Sequence, residues 1–83
     1  MQHKRCQNNL SSVRRTRRLS QKRVAALLGR SPKMLSKYER GILLPPLEVA
    51  ATLSIIYQAK LEDLYPALHR ELKLKATHKL LTI

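Results

Sequence analysis

Four arginines crowd into five positions, Arg14-Arg15-Thr16-Arg17-Arg18. Cations so closely spaced repel one another, and an anionic partner relieves that repulsion. Eight further Lys and Arg lie within residues 1–40, accompanied by a single acid, Glu39. Residues 41–83 carry five basic residues and four acids, so the first half is a cationic surface and the second is close to neutral. The net charge of +12 and pI of about 10.8 imply a polyanionic partner, either nucleic acid or an anionic membrane. A helix lying on a membrane needs a wide apolar face opposite its charge. Leu10 and Val13 are too little for that, and no apolar run approaches the roughly 20 residues of a transmembrane helix. Nucleic acid is the expected partner, and no membrane.

Catalytic chemistry finds no constellation. His3, His69 and His78 are scattered, and no Gly-rich phosphate loop or nucleophile–base pair is visible. Glu62 and Asp63 are adjacent, so on a helix they point apart and cannot share a metal. Neither enzymatic activity nor a metal or other cofactor is expected. Cys6 stands alone, which excludes an intrachain disulfide and fits a reducing, cytoplasmic setting. Residues 1–9 lack the apolar core of a signal peptide.

The elements that must position the cations are short helices. From Leu19 to Gly41 the chain reads as two helices joined by a tight turn. Ser20 is an N-cap candidate, and Val24, Ala25 and Leu28 follow at helical spacing. Gly29 comes where a left-handed C-cap residue belongs. Ser31 is a second N-cap candidate, and Pro32 occupies the first helical position, where its missing N–H costs nothing. Leu35 and Tyr38 give this helix one buried edge, leaving Lys33, Ser36 and Lys37 free to face outward. A carboxylate near a helix C-terminus is disfavoured by the dipole, so Glu39 should persist only if paired.

The run Leu19-Ser20-Gln21, Ala25, Leu28-Gly29, Ser31, Leu35-Ser36 and Tyr38-Glu39-Arg40-Gly41 resembles the helix-turn-helix of the phage repressor and Cro-like (Xre) family. The resemblance extends upstream to Leu10, Val13 and Arg14, and downstream through Pro45, Leu47 and Glu48 to Leu61-Glu62-Asp63-Leu64-Tyr65. It implies an all-α fold, a compact bundle of about five short helices like the lambda-repressor DNA-binding domain. It also implies that the helix over about residues 32–40 enters the major groove, with Pro32, Lys33, Ser36 and Lys37 at base edges. Lys can donate to guanine O6 and N7, whereas Ser donates or accepts and so discriminates weakly. Met34 should be partly exposed. Backbone contacts are expected from Arg17, Gln21, Lys22, Arg30 and Arg40, which flank that helix or end it. The resemblance gives Gln21 a second task, bracing the recognition helix, and makes Arg14 the partner of Glu39 in a buried ion pair.

The domain reading is a basic arm over 1–9, the helix-turn-helix domain over 10–69 and a tail over 70–83. In the arm, Lys4 and Arg5 are the residues that could reach DNA, and fraying is the expectation. Helices are expected over about 10–17, 21–28, 32–40, 47–59 and 61–69, with Leu47, Ala50, Leu53, Ser54 and Tyr57 as the stripe of the fourth. Resembling proteins usually place basic or amide residues between Gly41 and Pro45, where this chain has Ile42-Leu43-Leu44. Three adjacent apolar residues in a loop must fold inward or be covered by a partner. Together with the apolar Leu80-Leu81-Thr82-Ile83 terminus they point to a homodimer. The tail is ambiguous: Leu72, Leu74 and Ala76 alternate like a strand, whereas Leu64, Leu68 and Leu72 are spaced like a helix. The function expected is a sequence-specific double-stranded DNA-binding transcriptional regulator, a repressor. The alternative is the antitoxin half of a toxin–antitoxin pair, holding operator DNA and a protein partner seated at the tail.

Overall fold

A computed structural model describes residues 6–82, with side chains through Leu81. Lys4 and Arg5 lie outside the described residues. Six helices follow in order: α1 Leu10–Thr16, α2 Gln21–Leu28, α3 Pro32–Glu39, α4 Leu47–Tyr57, α5 Leu61–Leu64 and α6 Pro66–Thr82. Among the described residues there is no strand.

Local chemistry sets the ends of the central helices. Ser20 Oγ accepts from the Arg23 N–H at 3.0 Å, and Ser31 Oγ accepts from the Met34 N–H at 3.1 Å. Each hydroxyl satisfies a donor that the first turn leaves without a helical partner. Gly29 ends α2 at φ 68°, and Gly41 follows α3 at φ 75°. At Gly41 a side chain is excluded twice, because a Cβ there would stand 2.6 Å from the Cys6 carbonyl oxygen.

Packing then joins the helices around one core. Leu10, Val24, Leu35, Leu53, Tyr57 and Leu64 are fully buried at its centre. Each buried aliphatic side chain there contributes about 1.5–3 kcal/mol by leaving water. On α4 the buried arc is Val49, Ala50, Leu53 and Tyr57. Leu47, expected on that stripe, falls outside the arc and is 81% exposed. Val13 and Ser54, also expected inside, are only half-buried.

Two regions depart from the sequence expectation. The fifth helix is two helices. Tyr65, the residue before a proline, is pushed out of helical geometry to φ −131° and ψ 64°, and Pro66 opens α6. That helix runs 17 residues without a break at residue 70, so the ambiguous tail is helical rather than strand-like. At the other end, the arm is docked from Cys6 onward. The Cys6 N–H donates to the Gly41 carbonyl at 3.0 Å and the Asn9 N–H to the Leu64 carbonyl at 2.8 Å. Asn8 Nδ2 donates to the Tyr38 carbonyl at 3.0 Å while its Oδ1 accepts from the Leu10 N–H at 2.9 Å. Residues 6–9 thus strap the end of α3 to the end of α5, with Asn8 holding the first N–H of α1 on the way. Partial burial against the core pushes the Cys6 thiol up from its ordinary range.

Candidate nucleic-acid interface

The α2–α3 unit presents two faces. Val24, Ala25, Leu35 and Tyr38 turn inward and are buried. Outward, Pro32 and Lys33 are exposed, and Ser36 and Lys37 are half-exposed. Met34 is half-buried against the core. Pro32, Lys33, Ser36 and Lys37 therefore share the free surface of α3, where one turn separates Lys33 from Lys37. Ser36 is not independent of its neighbour: Arg40 Nε donates to Ser36 Oγ at 3.2 Å, which occupies one of its lone pairs.

The position of α3 is held by a polar lock at its C-terminal end. Arg14 Nε donates to Glu39 Oε2 at 2.7 Å, and Arg14 Nη2 reaches Glu39 Oε1 at 3.3 Å. Gln21 Nε2 donates to the same Oε1 at 2.8 Å, and Arg14 Nη1 donates to the Leu19 carbonyl at 2.9 Å. The two charged side chains are only 10% and 5% exposed. Three elements meet here: α1 through Arg14, the start of α2 through Gln21, and the end of α3 through Glu39. A buried, bidentate pair of this kind specifies geometry more than it adds stability. The Tyr57 hydroxyl is pushed up to about 12, first by burial and then by the negative charge of Glu39. Among the described residues, the Tyr57 and Tyr65 hydroxyls are buried without a hydrogen-bond partner.

The cations expected at the phosphates do not all face the same way. Lys22 is exposed at the start of α2. Arg30 leans to Glu48 at 3.4 Å, an exposed contact that water screens strongly. Arg17 is exposed, but its guanidinium reaches back to the protein. Its Nε donates to the Tyr57 carbonyl at 2.8 Å and Nη2 to the Gln58 carbonyl at 3.4 Å. Those carbonyls end α4, where no helical N–H can reach them, so a cation there is doubly favoured. Arg17 thus braces α1 against α4, a task that sequence reasoning missed because its partner is 40 residues away. Arg15, Arg17 and Arg18 are all exposed, and of the cluster Arg14 alone is buried. Arg18 adopts φ 58°, a left-handed conformation that a side-chain-bearing residue rarely takes. The cluster itself was visible in the sequence; which of its members bonds the protein was not.

No group of three or more His, Cys, Asp or Glu among the described residues could hold a metal ion. No helix among them is long and apolar enough to cross a membrane. Two capped helices with a cationic outer face, locked at one end to a third, define a helix-turn-helix DNA-binding domain. The chain matches the family model described as a helix-turn-helix domain over residues 9–68, and it belongs to that family. No curated protein matches the chain.

Proposed function

We propose that this protein is a sequence-specific regulator, a repressor, that binds double-stranded DNA as a homodimer with α3 in the major groove. One observation carries the reading. The face of α3 bearing Pro32, Lys33, Ser36 and Lys37 is free of packing duty, while its opposite face is buried and its end is locked. A helix so held can present side chains to base edges at fixed positions, and preorganisation of that kind favours sequence choice over mere attraction. Lys22, Gln21, Arg30 and Arg40 are assigned to the phosphates, joined by Arg15 and Arg18. Arg17, engaged with α4, is left out of that set. The capping and glycine spacing favours the phage repressor and Cro-like branch. Repression is the role that needs least beyond such a domain, since occupying an operator is enough to exclude a competitor. A two-fold dimer would read half-sites centred about 10–10.5 bp apart.

The test divides labour on the DNA. The preferred duplex is selected from a random pool, then titrated beside a scrambled one at several salt concentrations. Lys22→Ala should weaken both duplexes alike and lower the slope of log affinity on log salt by about 0.9. Lys33→Ala and Lys37→Ala should cost about 1–3 kcal/mol on the preferred duplex and relax choice at one base pair. Equal loss on both duplexes for the two α3 lysines would overturn the assignment of α3 as the reader.

A further inference from the structure

The outer face of α3 carries hydrogen-bond donors and no free carboxylate or amide. From Leu10 to Arg40 the chain holds one acid and one amide, Glu39 and Gln21. Both are committed to the lock. Glu39 is 5% exposed and bound by Arg14, and Gln21 Nε2 donates to it at 2.8 Å. What remains toward solvent along α3 is Pro32, with no polar side-chain atom, then Lys33, Ser36, Lys37 and Arg40. Among the described residues no carboxylate pairs with Lys33 or Lys37, so each ammonium keeps its donors for a ligand.

A free serine hydroxyl donates or accepts and so reads little. Ser36 is constrained, because Arg40 Nε donates to its Oγ at 3.2 Å. The guanidinium takes one lone pair, and its charge repels the positive end of an amino group approaching the other. The O–H is then the group that Ser36 turns to a base.

In the major groove guanine presents two acceptors, O6 and N7, and no donor. Adenine sets an amino donor beside its one acceptor, thymine a methyl group, and cytosine presents only an amino donor. The side chains that suit adenine and cytosine are amides and carboxylates, the types missing from this face. Lys33 and Lys37 stand one turn apart, about 6 Å along the axis, which spans about two base-pair steps. Guanines drawn from alternating strands would bring cytosine amino groups under the same ridge.

We infer that α3 recognises a short run of guanines on one strand, about two or three, through their O6 and N7 atoms. Lys33, Lys37 and Ser36 act as donors, and Arg40 holds Ser36 in that role. The inference rests on α3 as the reader in the major groove and adds which bases it reads.

The test starts from duplexes selected out of a random pool by the full chain. Each conserved guanine is replaced by 7-deazaguanine, which pairs normally but lacks N7. Inosine, which keeps O6 and N7 and loses only the minor-groove amino group, is the control. Each 7-deazaguanine should weaken binding about tenfold, and inosine about twofold or less. That cost should vanish at one guanine in Lys33→Ala and at another in Lys37→Ala. Ser36→Ala locates the base pair that Ser36 meets. There Arg40→Lys, which keeps a charge for a phosphate, should lower the preference for guanine over adenine about threefold or more.

A conserved site without consecutive guanines overturns the inference, and leaves α3 as the reader if the two lysine variants still relax choice within that site. A guanine run that tolerates 7-deazaguanine, or whose 7-deazaguanine cost survives both lysine variants, also overturns it. An unchanged preference in Arg40→Lys removes Arg40 from the reading. Selection that yields no consensus at all overturns the functional reading itself.

Discussion

Replacing Glu39 by alanine should cost a large part of the protein's stability. The substitution removes every acceptor from Arg14 except the Leu19 carbonyl and strips Gln21 of its partner. Arg14 is 9% exposed, so its guanidinium is left charged, desolvated and incompletely bonded. Breaking a buried pair this way costs about 3–5 kcal/mol. A chain of 83 residues is stable by roughly 4–12 kcal/mol in all. Each kcal/mol lowers the melting temperature of a domain this size by about 4–8 °C, so Glu39→Ala should melt at least about 12 °C lower. Replacing both partners by apolar residues, Arg14→Met with Glu39→Leu, should recover much of that loss, because no buried charge remains. Thermal unfolding followed by circular dichroism reads all three proteins. A Glu39→Ala midpoint within about 2 °C of the wild type would refute the argument that this charge pair is desolvated.

Two further outcomes follow from particular contacts. Arg17→Ala should destabilise the protein by about 1–3 kcal/mol in urea unfolding through loss of charged hydrogen bonds to the α4 carbonyls, while leaving the salt slope of DNA binding unchanged. Gly41→Ala should cost more than Gly29→Ala in the same measurement. Both sites have positive φ, but only at Gly41 does the new Cβ meet a backbone oxygen at 2.6 Å, whereas at Gly29 nothing lies within 4 Å.

The local part of this fold was legible from the chain alone. Ser20, Ser31, Pro32, Gly29 and Gly41 act on backbone groups within a few residues of themselves, so their types and spacing determined where α2 and α3 begin and end. The need of Glu39 for a partner was equally local, since a lone carboxylate at a helix C-terminus is unfavourable. The identity of that partner was suggested by family resemblance, because 25 residues separate Arg14 from Glu39. Tertiary structure alone decided the rest. Arg14, Arg15, Arg17 and Arg18 look interchangeable in sequence, yet Arg14 is buried in the lock and Arg17, though exposed like Arg15 and Arg18, bonds the carbonyls that end α4; only the placement of α3 and α4 beside α1 separates them. The strap over residues 6–9 reads as a polar terminus until the Gly41 and Leu64 carbonyls come within hydrogen-bonding distance. Leu72 fits both a strand-like and a helical spacing, and Leu47 fits the apolar stripe of α4 at an end that the core does not cover. Periodicity reports which residues can share a face, whereas burial depends on what packs against that face, and that partner is set by distant parts of the chain.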